Sequence, residues 1–156
     1  MKIVVSSDEH SPLVEALLEE LARRGHEVEY IGPRAGEPAT EEHDWPVVTV
    51  KAVTQVVQGQ ADEAIVMCWT GTGASLAANK VPGIRAALCH DAETARGARV
   101  WNHANVLALS LRATPIPIAK EILDAWFSTP YSDDPWNLKQ IARIRALEGA
   151  QTHQEE

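Results

Sequence analysis

Five short apolar runs, each separated from the next by a segment of helical character and never by a hairpin dipeptide, constrain this chain more than any other feature. The runs are Lys2 to Ser6, His26 to Ile31, Ala64 to Cys68, Ile84 to Leu88 and Ala104 to Leu109. Between them, Pro12 to Arg24 carries Leu13, Leu17, Leu18 and Leu21 on one face and stops at Gly25. Trp45 to about Gln58, Thr72 to Lys80 and Asp91 to Val100 follow as helices. After the fifth run, Thr114 is expected to cap a helix with Pro115 and Pro117 in its first turn, where a missing N–H costs little. Strands linked through helices run parallel, and strands apolar on both faces must be covered on both faces. The expected fold is α/β, a Rossmann-like three-layer α/β/α sandwich with a five-stranded parallel sheet.

In such a sheet the ligand crevice lies outside the carboxyl ends of the strands. Asp8, Cys68, His90 and the Ser110 to Arg112 turn all fall there. Cys68 is the most informative of them, because it closes an apolar run and opens Cys68-Trp69-Thr70-Gly71-Thr72-Gly73, a glycine turn that leads into a helix. Strand, glycine turn and helix start together hold a thiol beside free backbone N–H groups, where anionic charge is favoured. That arrangement suits proton abstraction next to a developing oxyanion.

Simpler readings compete with this one. A cysteine at a strand end is commonly an inert buried residue. The Gly-Thr-Gly turn lacks the third glycine of a dinucleotide site and the Lys-Ser/Thr of a P-loop, which argues against nucleotide binding. His90-Asp91, lying between a strand and a helix, fits an N-terminal cap better than an oriented acid. The acids from Glu37 to Asp44 fit a solvated loop.

At 156 residues the chain suits one domain, expected over 1–148, whose last helix runs from Pro135 to Leu147 before a polar tail at 149–156. A net charge of −8 argues against nucleic-acid binding, which needs clustered Lys and Arg. Cys68 and Cys89 form neither a CxxC pair nor a disulfide framework, and no His/Cys/Asp grouping has metal-ligand spacing. No cofactor and no metal are expected. Neither a membrane span nor a signal-peptide core is expected, which points to a cytoplasmic protein.

The segment from Cys68 to Asp91 carries a resemblance. Its CxTGxG turn, Ala77-Ala78-Asn79-Lys80, Val81-Pro82-Gly83-Ile84-Arg85-Ala86-Ala87 and Cys89-His90-Asp91 resemble the ribose-5-phosphate isomerase B and galactose-6-phosphate isomerase family. Ser7-Asp8, Asn102, Ala104-Asn105-Val106-Leu107 and Leu123-Asp124-Ala125-Trp126 extend the match to about residue 145. The resemblance implies aldose–ketose interconversion without metal or cofactor, through a cis-enediol intermediate. It implies Cys68 as the base that shuttles the proton. Thr70, Gly71 and Gly73 match the turn that holds the enediolate, and Asp8 matches a contact to sugar hydroxyls. Asn102 matches a residue donated by the neighbouring subunit, so a homodimer with interface active sites is implied, or a tetramer built from it.

The departures from the family are specific. Glu9 stands where the family has a histidine, and His10 comes one place later. Trp101 replaces the histidine that opens the cyclic sugar; an indole has a donor but no acid–base capacity. His10 and His103 are the candidates to take over that proton transfer. Arg112 matches one phosphate-binding arginine, but Pro135-Trp136 replaces an Arg-His pair and Lys139 falls at a further arginine position. A lysine point charge grips phosphate less well than a bidentate guanidinium. Of five tryptophans, Trp45, Trp69, Trp101 and Trp136 match active-site loops or phosphate contacts, and Trp126 suits the core. Flat indole faces favour sugar C–H surface over charge.

The expected function is isomerisation of a small sugar or sugar phosphate through an enediolate with Cys68 as base. Its alternatives are a conventional ribose-5-phosphate isomerase with compensating residues, or a sugar-binding module that has lost catalysis.

Overall fold

The computed structural model describes residues 1–38 and 40–151. The elements are β1 (Lys2–Ser7), α1 (Pro12–Arg23), β2 (Glu27–Ile31), a 3₁₀ turn (Glu41–His43), α2 (Trp45–Val57), β3 (Glu63–Cys68), α3 (Thr72–Ala78), β4 (Ala86–Leu88), α4 (Ala92–Asn102), β5 (Val106–Ser110), α5 (Ile116–Ser128) and α6 (Pro135–Gln151). The five strands form one parallel sheet in the order β2-β1-β3-β5-β4, an α/β Rossmann-like arrangement as the alternating pattern requires.

Alternation along the central strands divides the core in two. Ile3, Val5, Ile65, Met67, Leu107 and Leu109 meet α1, α4 and α5 on one face. Val4, Ala64, Val66, Cys68, Val106 and Ala108 meet α2 and α3 on the other. The register pairs Ser7 with Met67 and Cys68 with Ser110, so the β1, β3 and β5 carboxyl ends finish level and form one mouth.

Several boundaries differ from those expected of the sequence, and three have a visible cause. Thr114 does not cap α5: Pro115 is the N-cap residue, without a side-chain bond, and buried Thr114 donates its N–H to the Ser110 carbonyl. β4 starts at Ala86 instead of Ile84, because the Arg85 N–H is taken by Asn105 Oδ1 and the Asn79 side chain binds Ala86 N and O. α6 continues through Gly149 to Gln151, its last turns anchored where Glu148 Oε1 accepts the Gly83 N–H at 2.9 Å. Residues 152–156 of the expected tail lie outside the described residues.

At the amino end of the sheet, Glu63 is buried with charge partners. Arg99 Nη1 donates to Glu63 Oε1 at 2.7 Å, and Trp126 Nε1 donates to Oε2 at 2.6 Å. Trp126 is thus a core residue with a polar tether. Trp126→Phe leaves that carboxylate short of a donor, and about 1.5–3 kcal/mol of stability should be lost, measured by urea denaturation with an unchanged slope.

Candidate active site

Cys68 ends β3 with its side chain in the core layer shared with α2 and α3, and it is 5% exposed. The chain must then reverse between β5 and β4, and only glycine fits. Gly71 has φ 76, and a Cβ there would stand 2.6 Å from Leu88 Cδ1 and 2.9 Å from the Leu109 carbonyl. The turn returns α3 over the thiol, so that the Ala74 N–H points at Cys68 Sγ, 3.4 Å away. The N–H groups of Thr72 and Gly73 precede the first intrahelical acceptor and have no partner among the described residues. Thr70 and Thr72 hydroxyls bond each other at 2.7 Å across the turn.

Trp45, the first residue of α2, lies against this turn: a Cβ on Gly73 would meet its ring atoms at 3.0–3.3 Å. Trp69, between Cys68 and Thr70, is 55% exposed, while its carbonyl is fixed by Ser110 Oγ at 2.9 Å and the Arg112 N–H at 3.1 Å. The Trp45 indole therefore walls the turn after Cys68, and Trp69 stands exposed beside it in the chain. Asp8 closes another side, with Oδ1 buried and unpartnered. Burial pushes its carboxyl above the usual range, backbone N–H groups oppose this, and the nearby Glu9 and Asp44 carboxylates add to the rise. Asp44 is exposed in the acidic loop, as expected, and its charge reaches Asp8 from just before Trp45. The exposed Arg112 guanidinium has no carboxylate partner among the described residues.

The other residues singled out in the sequence separate into two groups. His10 stays near the β1 carboxyl end, with Nε2 2.8 Å from Glu15 Oε1, and Glu9 is exposed beside it. His90 is exposed and Asp91 caps α4, its Oδ1 accepting the Thr94 N–H at 2.7 Å. Trp101, Asn102 and His103 lie at the opposite end of the sheet, since α4 runs back from the carboxyl end of β4 to the amino end of β5. Trp136 and Lys139, both exposed, open α6 next to them.

His103 is corrected as an acid–base candidate. It is buried, stacks on Tyr131 at 4.6 Å, and has its Nε2 2.9 Å from the Ser132 carbonyl. A ring so committed has no open nitrogen on that side to meet a sugar oxygen. Cys89 is not a second nucleophile, since burial pushes its thiol up to about 12. Among the described residues, no group of His, Cys, Asp and Glu is arranged to hold a metal ion, and no helix is long and apolar enough to cross a membrane.

The chain is similar to known proteins in both sequence and fold. The chain is 36% identical over 110 residues to ribose-5-phosphate isomerase B of Escherichia coli, covering 70% of this chain and 73% of that one. It is 32% identical over 153 residues to D-erythrulose-4-phosphate isomerase 2 of Mycolicibacterium smegmatis, covering 96% and 99%. The structure of Clostridium thermocellum ribose-5-phosphate isomerase B superposes with a TM-score of 0.88 at 34% identity, covering 97% of this chain and 99% of that one. A family profile, Ribose/Galactose Isomerase, matches residues 3–145, and the chain belongs to that family.

Proposed function

We propose that this protein is a sugar isomerase that interconverts an aldose and a ketose, with Cys68 as the base that moves one proton between the two carbons. The observation that carries the reading is the thiol at the β3 terminus with the Ala74 N–H on its sulfur. The thiolate is the form that can take a proton. Removing the C–H proton sends charge to the neighbouring carbonyl oxygen, and the open N–H groups of Thr72 and Gly73 lie beside the sulfur to receive it. The hydroxyl proton of the enediolate passes from one oxygen to the other, and the thiol returns its proton to the adjacent carbon, so no external reductant or oxidant is consumed.

The substrate is a small sugar or sugar phosphate. Asp8 supplies an acceptor for a hydroxyl, Trp45 and Trp69 supply flat apolar walls, and Arg112 is the cation available for an anionic end. Trp101 holds the place of the family's ring-opening residue, which favours a substrate that needs little or no ring opening. A tetrose phosphorylated on O4 has no hydroxyl left to close a five-membered ring. The resemblance to D-erythrulose-4-phosphate isomerases supports that preference. His10, oriented by Glu15, is the imidazole nearest Asp8 in sequence and serves as the acid when a ring must open.

A second copy completes the site. Asn102 and Trp101 match positions the family contributes across subunits, and they stand far from Cys68 of their own chain. Beside them, a cavity of about 860 Å³ lies between the edge strand β4, α4 and α6, with Ile84, Leu88, Trp101, Ile144 and Leu147 on its walls. An unpaired sheet edge next to exposed apolar side chains suits an interface between copies. We expect a homodimer whose mass persists on dilution in light scattering; a fully active monomer would return Trp101 to a packing role.

Solvent exchange tests the catalytic reading. In deuterated water a competent isomerase incorporates deuterium at the carbon next to the carbonyl, seen by proton NMR, whereas a sugar-binding module leaves that C–H intact.

A further inference from the structure

The α4 terminus and the α6 start are joined by a buried polar contact. His103 ends α4 with φ 48, the only positive φ outside glycine among the described residues. An imidazole side chain in that region carries strain unless the surroundings hold it. Here they do: the ring is buried, stacked on Tyr131, and its Nε2 stands 2.9 Å from the Ser132 carbonyl and 3.1 Å from Asn137 Nδ2. Asn137 is 2% exposed and also donates to the Val100 carbonyl at 3.1 Å. The Ser132 N–H reaches that same carbonyl at 3.3 Å. The last turn of α4, the α5–α6 linker and the first turn of α6 are thus tied at one point.

Two large exposed side chains flank this joint. Trp101 sits between Val100 and His103 in sequence and is 62% exposed; Trp136 immediately precedes Asn137 and is 67% exposed. Trp101 is further fixed by Gly97, one helical turn before it, where a Cβ would stand 2.9 Å from the indole Cζ3. The indole therefore lies down on α4 with its other side open. The tie satisfies the Val100 carbonyl, which has no acceptor role left inside α4, and in doing so it fixes the backbone that carries both tryptophans relative to one another.

We propose that His103 and Asn137 are positioning residues that hold Trp101 and Trp136 as one rigid unit for delivery into the substrate pocket of a second copy of this chain. This rests on the isomerase reading above, and it adds that the two indoles act together. Loss of the joint should weaken substrate binding and spare the chemical step, because the indoles offer contact surface and no group that moves a proton.

The test uses the full chain labelled with 5-fluorotryptophan, its five fluorine signals assigned by single Trp→Phe replacements. His103→Asn keeps a residue that tolerates positive φ but removes the ring, and Asn137→Ala removes the tie from the other side. A retained Trp126 signal reports that each variant is folded. The expected result is that the Trp101 and Trp136 signals broaden or shift together in both variants, with that of the core Trp126 unchanged. KM for the best-turned-over sugar should rise about tenfold with kcat within about twofold. Signals that stay fixed, or a Trp101 signal that responds without Trp136, would overturn the rigid unit. Paired signal changes with an unaltered KM would overturn its role at the pocket. A wild type that exchanges no substrate proton would remove the isomerase reading, and the fluorine signals would still decide whether the two indoles move as one.

Discussion

Cys68→Ala should lower kcat by about 10²- to 10⁴-fold or more while sugar affinity and fold stay close to wild type. The residue is small and the replacement removes only a sulfur, so the layer formed with Ala74 and Ala78 is little disturbed. What disappears is the one ionisable atom that the Ala74 N–H addresses. Cys68→Ser tests the same point more sharply. Its oxygen can occupy nearly the same place and accept the same N–H, but a hydroxyl is a far weaker acid than a thiol, so it spends almost no time as the anion. Both variants should bind sugar in isothermal titration and fail in deuterium exchange. Near-wild-type exchange by Cys68→Ala would end the role of this thiol as the shuttling base.

The mouth around Cys68 is legible in the sequence because every signal for it is local. An apolar run, a cysteine and a turn with glycine at a position of positive φ fix the strand end, the reversal and the helix start within a few residues. The parallel sheet is legible for the same reason, since alternation of strand and helix leaves few topologies. Long-range contacts are not. His103 reads as a spare imidazole because nothing near it in sequence announces Ser132 or Asn137, which bury and bind it. Trp45 can be assigned to a loop near the site, but its seat on Gly73 depends on α2 and α3 packing side by side. Gly97 carries a readable signal that is easily passed over: a glycine four residues before a tryptophan on a helix leaves room for the ring to lie down. Gly149 misleads in the other direction. A single glycine costs a helix only about 1 kcal/mol, and the Glu148 anchor on the Gly83 turn is in place just before it.

Ribose 5-phosphate should be a poor substrate, and an uncharged or short-chain sugar that is already open should be a better one. The physical case has two parts. Where the family grips phosphate with an Arg-His pair, this chain has Pro135-Trp136, and each charge-assisted hydrogen bond forgone there is worth about 1.5–3 kcal/mol. Arg112 is the cation left at the mouth, and the Glu9 and Asp44 carboxylates gathered around Asp8 weaken the local field for an anion. The second part is kinetic. Ribose 5-phosphate is mostly cyclic, and with Trp101 in place of the ring-opening histidine the enzyme has no proton donor of that strength at that position. A tetrose 4-phosphate escapes the ring problem and keeps one anionic contact for Arg112; a free triose escapes both. The measurement is kcat/KM for these substrates in wild type and in Trp101→His. Ribose 5-phosphate should trail the open-chain sugars by at least about one order of magnitude in wild type, and Trp101→His should narrow that gap by raising kcat on the cyclic substrate without helping the open ones. If the wild type turns over ribose 5-phosphate efficiently and Trp101→His brings no gain, then the tryptophans do not set substrate choice and the open-chain preference is wrong.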